Sequence, residues 1–298
     1  MAAREAAARI ETEPAGGSGT IFFSGCTLRC GFCQNRQLSR NEVGHEVTID
    51  ELVEMCLRLQ AAGAPNINFV SATHFIPSII EGVRRARLGG LRLPVVWNSS
   101  GYETIETVER LSSAVDIFLP DLKLLDPELA ARLFASPDYP ERTEAAVERM
   151  ISLGPVEFAP DGSLRSGTIV RHLVLPGLLP QSEEVLRWCA ERGVGRSLGR
   201  PQALISLMMQ FGVPDGLRGW SRGVKELENR PLTEAEYDRF ICLLDELGID
   251  EGYIQEPGDE EPWWPDFTRP NPFPEGQAVR VWPCFAESSE RERLSGIE

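Results

Sequence analysis

Three cysteines fall within eight residues, in the run Cys26-Thr-Leu-Arg-Cys30-Gly-Phe-Cys33. Thiolates are soft ligands, and three on one short loop can converge on a single soft-metal site. An iron–sulfur cubane normally takes four cysteine ligands. This loop offers three, and no fourth cysteine lies nearby. The pattern points to a [4Fe-4S] cluster with one iron open to a non-cysteine ligand. An open position on a metal centre is a reaction site, by the logic that separates catalytic from structural zinc. Two other readings fit less well. A zinc site would need His45 as fourth ligand, whereas zinc loops usually come as two closely spaced Cys or His pairs. A chance cluster of core cysteines would not carry Arg29 and Gly31 in its loop.

The other four cysteines, Cys56, Cys189, Cys242 and Cys284, are scattered, and the total of seven is odd. Both facts argue against a disulfide framework. Cys56 and Cys189 sit on apolar helix faces and read as core packing. No second cluster motif is present. That argues against enzymes that modify ribosomal peptides through a cysteine-rich C-terminal domain, and against activases with an inserted ferredoxin module.

The elements around the loop alternate. The chain has 298 residues, 42% of them apolar, which suits one large domain or two small ones. A strand at Thr20–Phe23 leads into the cysteines. Thr48 and Glu51 form a capping box for a helix over about 49–62. Strands are expected at 67–70, 94–97, 115–119, 168–175, 203–209 and 252–254. Helices are expected at 77–88, 103–111, from Asp126-Pro127 onward, at 141–152 and 182–192, and from a second capping box, Thr233 and Glu236, to Leu247. Such alternation implies parallel strands with crossover helices, an α/β fold of the full or partial TIM-like barrel class.

Residues 1–18 read as a flexible leader, 19–256 as the barrel and 257–298 as an extension packing on it with a frayed end. The extension carries seven prolines and six large aromatics between 257 and 285, among them Trp263, Trp264, Phe267, Phe273, Trp282 and Phe285. A disordered linker is rarely so aromatic. Packing along the barrel is the expected role, and closure over substrate the second. The net charge of −15, from 45 acidic and 30 basic residues, disfavours a nucleic-acid partner. No apolar run approaches the roughly 18 residues of a membrane span. The first residues lack the apolar core of a secretory signal, so the chain reads as cytoplasmic.

The Cys-x3-Cys-x2-Cys spacing, with the aromatic Phe32 before the last cysteine, resembles the radical S-adenosylmethionine (SAM) superfamily. GTIFFSGCTLRCGFCQN at 19–35, SATHF at 71–75, VVWNSSGY at 95–102, LPDLK at 119–123 and RHLVLPG at 171–177 extend the resemblance. Across residues 19–255 they resemble the pyruvate formate-lyase activating enzyme-like branch. The resemblance implies a partial (β/α)6 barrel, a [4Fe-4S] cluster on Cys26, Cys30 and Cys33, and SAM bound through its amine and carboxylate to the open iron. The implied reaction is reductive cleavage of SAM to a 5′-deoxyadenosyl radical that abstracts hydrogen. The implied partners are a reductant such as flavodoxin or ferredoxin and a glycyl-radical enzyme as protein substrate. A small molecule or peptide is the second reading of the substrate, and a non-catalytic iron–sulfur module the third reading of the whole.

The resemblance also nominates SAM contacts. Ser71, Thr73 and His74 occupy the place of the family's usual Gly-Gly-Glu, which this chain lacks. His74 is read equally as a satisfied strand-end histidine. Asn98, Ser99 and Asp121 resemble positions that hold a monovalent cation beside SAM, with Asn in place of Asp removing one negative charge. Lys123 could reach the SAM carboxylate, or pair with Asp121 on the same strand face. Arg171 resembles a SAM-contacting arginine; inside a strand it would be costly to bury without an anion. Gln210 is placed where adenine contacts are expected.

Overall fold

The computed structural model describes residues 17–41, 43–197, 201–214 and 216–255, and within the C-terminal extension residues 264–267, 269, 272, 273, 278, 281 and 282. Trp263, Cys284, Phe285 and the leader before residue 17 lie outside the described residues.

Seven parallel strands form the sheet. They are β1 (Gly19–Phe22), β2 (Ile67–Val70), β3 (Val95–Ser99), β4 (Ile117–Pro120), β6 (Leu164–Leu173), β7 (Leu204–Met208) and β8 (Gly252–Gln255), side by side in chain order. A short β5 (Glu157–Phe158) adds to β6 as an antiparallel hairpin around the Asp161-Gly162 turn. The turn was legible, but a two-residue strand has no periodicity to read. β1 and β8 end the path, so the barrel is partial. This is an α/β partial barrel of parallel strands.

The helices between strands start where local chemistry starts them. Both capping boxes form, with Thr48 and Glu51 heading Ile49–Ala61, and Thr233 and Glu236 heading Glu234–Leu247. Asp126 caps Pro127–Phe134 through the amides of Glu128 and Leu129. A short helix, Arg36–Asn41, follows the cysteine loop and was not read from sequence.

The sheet faces divide cleanly. Outward residues of β2 and β3, such as Phe69 and Trp97, pack with Ile79, Val83 and Val108 from the helices. Outward residues of β6 and β7, Val170, Ile205 and Leu207, pack with Leu186 and Phe240. Cys56 and Cys189 lie in these two cores, while Cys242 is exposed. Because strand side chains alternate, the intervening residues face the concave side. There Asn98, Asp121 and Arg171 meet.

The described part of the extension lies across the open side. Phe267 packs on Phe22 of β1, and Phe273 lies 5.8 Å from the same ring. Gln37 clasps the segment, donating to Asp266 (3.0 Å) and accepting from the amide of Phe267 (2.6 Å). Trp264 lies against Gly212, beyond β7.

Candidate functional site

The cysteine loop leaves the carboxyl end of β1, the end where parallel barrels place their functional groups. Gly25, at φ +86°, turns the chain, and its amide donates to Leu38. Cys30 is buried; Cys26 and Cys33 are half-buried. The amide of Leu28 points at the Cys26 sulfur (3.5 Å) and the Ser39 hydroxyl at the Cys33 sulfur (3.6 Å). Burial pushes the Cys30 thiol up to about 12; Lys123 opposes the rise, and Cys33 and Cys26 add to it. Burial raises Cys33 too, eased by Ser39. Ligation must therefore displace protons from these thiols, which a strongly bound metal centre does.

The donor set fits an iron–sulfur cluster. Three thiols on one short loop lie near enough to influence one another electrostatically, and two already receive hydrogen bonds of the kind that tune cluster sulfurs. Among the described residues, no three His, Cys, Asp or Glu side chains converge tightly enough to share one metal ion. A four-iron cluster offers each thiolate its own iron and so accepts a wider triangle. His45 is exposed.

Across from the loop, the ends of β3, β4 and β6 build a polar cluster. Asp121 accepts from both Lys123 Nζ and Arg171 Nε, and Arg171 also donates to Asn98 (2.7 Å). Burial alone would raise the Asp121 carboxyl, but Arg171 and Lys123 outweigh it and hold it at about 2. Burial works against the Lys123 ammonium, yet Asp121 and Cys30 hold it charged, above its ordinary range. The Tyr139 hydroxyl accepts from the Lys123 amide (3.0 Å) and reaches the Asp121 carbonyl (2.9 Å) and the Ser100 carbonyl (3.1 Å), pinning both turns. Phe32, Asp121, Lys123, Leu173 and Leu175 line a small cleft between the cysteine loop and these strand ends.

The nominated residues do not all meet. Asn98 and Asp121 share the Arg171 guanidinium, but Ser99 points to the other face. There its hydroxyl donates to Glu103 (3.1 Å), as do Thr73 (3.1 Å) and the Trp97 indole (3.4 Å). Glu103, 3% exposed, was not singled out from sequence. Its one signal is an acidic residue directly after a buried strand and the Gly101-Tyr102 turn. Burial raises its carboxyl, and the three donors partly offset that. Ser71 adopts φ +60° at the end of β2, its amide donating to Asn98 (3.1 Å). His74 is satisfied, with Nε2 2.7 Å from the Ser24 carbonyl, so it ties the end of β2 to the cysteine loop. Gln210 is exposed, two residues beyond β7.

The connection after β7 roofs the cysteine loop. Phe211, Val213, Val224 and Leu227 are buried in one core with Cys30, Leu28 and Phe134. A Cβ on Gly31 would lie 1.9 Å from the Trp220 carbonyl oxygen, so only glycine admits this approach. Phe32 meets Phe134 and Phe211 edge-on, at 6.2 and 5.7 Å.

The profile of the radical SAM superfamily matches residues 20–189, more than half of the chain. The protein belongs to the radical SAM superfamily. Members of that superfamily are enzymes, and the superfamily implies a [4Fe-4S] cluster and SAM. This radical SAM protein is 30% identical over 247 residues to the uncharacterized protein MJ0674 of Methanocaldococcus jannaschii, a match covering 78% of this chain and 63% of that one. It therefore spans less than two thirds of that relative. Among solved structures it is similar to the hydrogenase maturase HydG of Carboxydothermus hydrogenoformans (TM-score 0.54, 14% identity, 86% of this chain and 57% of that one). It is likewise similar to SuiB of Streptococcus suis bound to S-adenosylmethionine (0.53, 12%, 85% and 54%). Methylornithine synthase PylB also matches (0.52, 13%, 99% and 86%). At such identities the likeness establishes the fold. Among the described residues, no helix is long and apolar enough to cross a membrane.

Proposed function

We propose that this radical SAM protein cleaves SAM reductively at a cluster held by Cys26, Cys30 and Cys33 and abstracts hydrogen from a protein glycine, as an activase of a glycyl-radical enzyme. The observation that carries the radical reading is the three-thiol loop facing the Asn98, Asp121, Lys123 and Arg171 cluster across a cleft. When bound, the reduced cluster supplies the electron that splits SAM. The chain's residues supply the rest. The Phe32, Phe211 and Phe134 rings wall the apolar core in which Cys30 is buried. Lys123 and Arg171, both fixed by Asp121, offer donors toward the methionine carboxylate. The turn of Ser71, Thr73 and His74, braced on Glu103 and Ser24, presents the amine side. Gln210, at the rim, is assigned to the adenine. With Arg171 between Asn98 and Asp121, the guanidinium takes the place nominated for a monovalent cation.

A second reading, a small-molecule or peptide substrate, is favoured by one observation. Trp264, Phe267 and Phe273 cross the open side where a protein loop would enter. After anaerobic reconstitution and dithionite reduction, SAM should yield 5′-deoxyadenosine by liquid chromatography. Cys30→Ala should lose both bound iron and product. An intact cluster without product sinks the radical reading. A glycyl-radical EPR signal in an added partner enzyme separates activase from small-molecule chemistry.

A further inference from the structure

One turn of the C-terminal extension grips both stems of the cysteine loop. Phe22, four residues before Cys26, meets Phe267 edge-on (5.2 Å) and lies 5.8 Å from Phe273. Gln37, four residues after Cys33, donates to Asp266 (3.0 Å) and accepts from the Phe267 amide (2.6 Å). The turn is closed on itself. The Asp266 amide donates to the Pro272 carbonyl (2.8 Å), and the Phe267 and Phe273 rings meet edge to face (6.2 Å). Gln37 belongs to the helix Arg36–Asn41, and each of the next three residues touches a different part of the loop. The Leu38 carbonyl accepts from the amide of Gly25, the neighbour of Cys26 (2.9 Å). Ser39, 5% exposed, points its hydroxyl at the Cys33 sulfur (3.6 Å). Arg40 donates to the Cys30 carbonyl (2.7 Å). One short helix thus reaches the surroundings of all three thiols.

A hydroxyl carries one proton, and the Ser39 oxygen also lies 3.4 Å from the Arg36 carbonyl. Arg36 is on the same helix, so that bond moves with the helix, whereas the bond to Cys33 does not. The seating of the helix against the loop therefore decides which acceptor takes the proton. We infer that the helix Arg36–Asn41 is the positioning element of the three-thiol site, with Ser39 as donor to the Cys33 sulfur. The turn that carries Asp266, Phe267 and Phe273 holds Ser39 on that sulfur through Gln37. This deepens the radical reading and rests on it for the cluster itself. Reduction adds one electron, and so one negative charge, to a ligated cluster. A hydrogen bond to a ligand thiolate favours the reduced form and raises the potential. The extension then acts on the ease of reduction at the cysteine loop, and not only as cover for the open side.

The test uses the full-length protein, reconstituted anaerobically. The midpoint potential of the cluster is read by EPR while dithionite and mediator dyes supply one electron per cluster. Ser39→Ala should disfavour reduction about tenfold, a drop of about 59 mV for one electron, the size expected of one hydrogen bond to a charged group. Ser39→Thr, which keeps the hydroxyl, should restore the potential. Gln37→Ala should lower it in the same direction, and the double variant should fall no further than Ser39→Ala, because Gln37 acts through Ser39. An unchanged midpoint in Ser39→Ala overturns the assignment of Ser39. A midpoint unchanged in Gln37→Ala, or additive with that of Ser39→Ala, overturns the role of the extension. Iron release to a chelator is the second readout. It should quicken in Ser39→Ala and Gln37→Ala but not in Ser39→Thr, and equal rates in all of them overturn the positioning role. Failure of both Ser39 variants to take up iron assigns Ser39 to packing and overturns the hydrogen-bond role. A cluster that titrates as expected in a protein forming no 5′-deoxyadenosine strikes the radical reading and leaves this assignment standing.

Discussion

Arg171 in β6 donates to the carboxylate of Asp121 at the end of β4, a residue fifty positions away, and Lys123 shares that carboxylate from the same turn. One half-buried anion thus answers two half-buried cations. Asp121→Asn leaves both cations underpaired, which for a half-buried cluster costs up to about 3 kcal/mol. Chemical denaturation should register that loss. Arg171→Met alone should cost stability as well, and the double variant should cost less than the sum, because the two effects share one interaction.

Glu103 is the acceptor for Thr73, Ser99 and Trp97. Glu103→Ala removes the acceptor from three donors, a loss of about 1–3 kcal/mol. It also frees the Ser71–His74 turn. SAM affinity by calorimetry should drop in Glu103→Ala and be largely retained in Glu103→Gln, since burial already favours the neutral carboxyl. Equal affinity in both variants would remove Glu103 from the positioning of that turn.

Gly31→Ala places a methyl where the Trp220 carbonyl oxygen stands, 1.9 Å away. Backbone must move, and overpacking of this kind costs about 1–3 kcal/mol. The expected outcome is a loosened roof: faster proteolytic cleavage between residues 211 and 232, and faster iron loss to a chelator, with the overall fold kept.

His172 faces the helices, its Nδ1 2.7 Å from the Leu122 carbonyl, and burial depresses its ring to about 4. The unfolded chain protonates this histidine near 6.5 while the folded chain resists until about 4. Below 6.5 the unfolded state therefore binds the extra proton, and stability falls between pH 6.5 and 4 by about 3 kcal/mol from this group. In His172→Gln that segment of the stability–pH profile should flatten. An unchanged slope would assign the loss to other groups.

Much was legible in the chain order because the signals are local. Capping boxes at Thr48 and Thr233, the Asp126-Pro127 start and the Cys26, Cys30 and Cys33 spacing each act within a few residues, so their geometry follows from short-range hydrogen bonding and sterics. The same cannot be said of Glu103, which gains its role from Thr73, thirty residues before it. Nor does a strand pattern tell that Ser99 turns away from Asn98 toward a buried carboxyl, although alternation requires that the two point apart.

The sequence by itself determined a three-thiol loop at the end of the first of seven alternating strands, and with it the class of cofactor those thiols suit. Only the tertiary structure decided which polar residues face that loop and what covers it. Arg222 reaches the Arg29 carbonyl across 193 positions, and Trp220 rests on Gly31. Such contacts depend on how the barrel curves and where a long connection folds back, and no window of neighbouring residues encodes that.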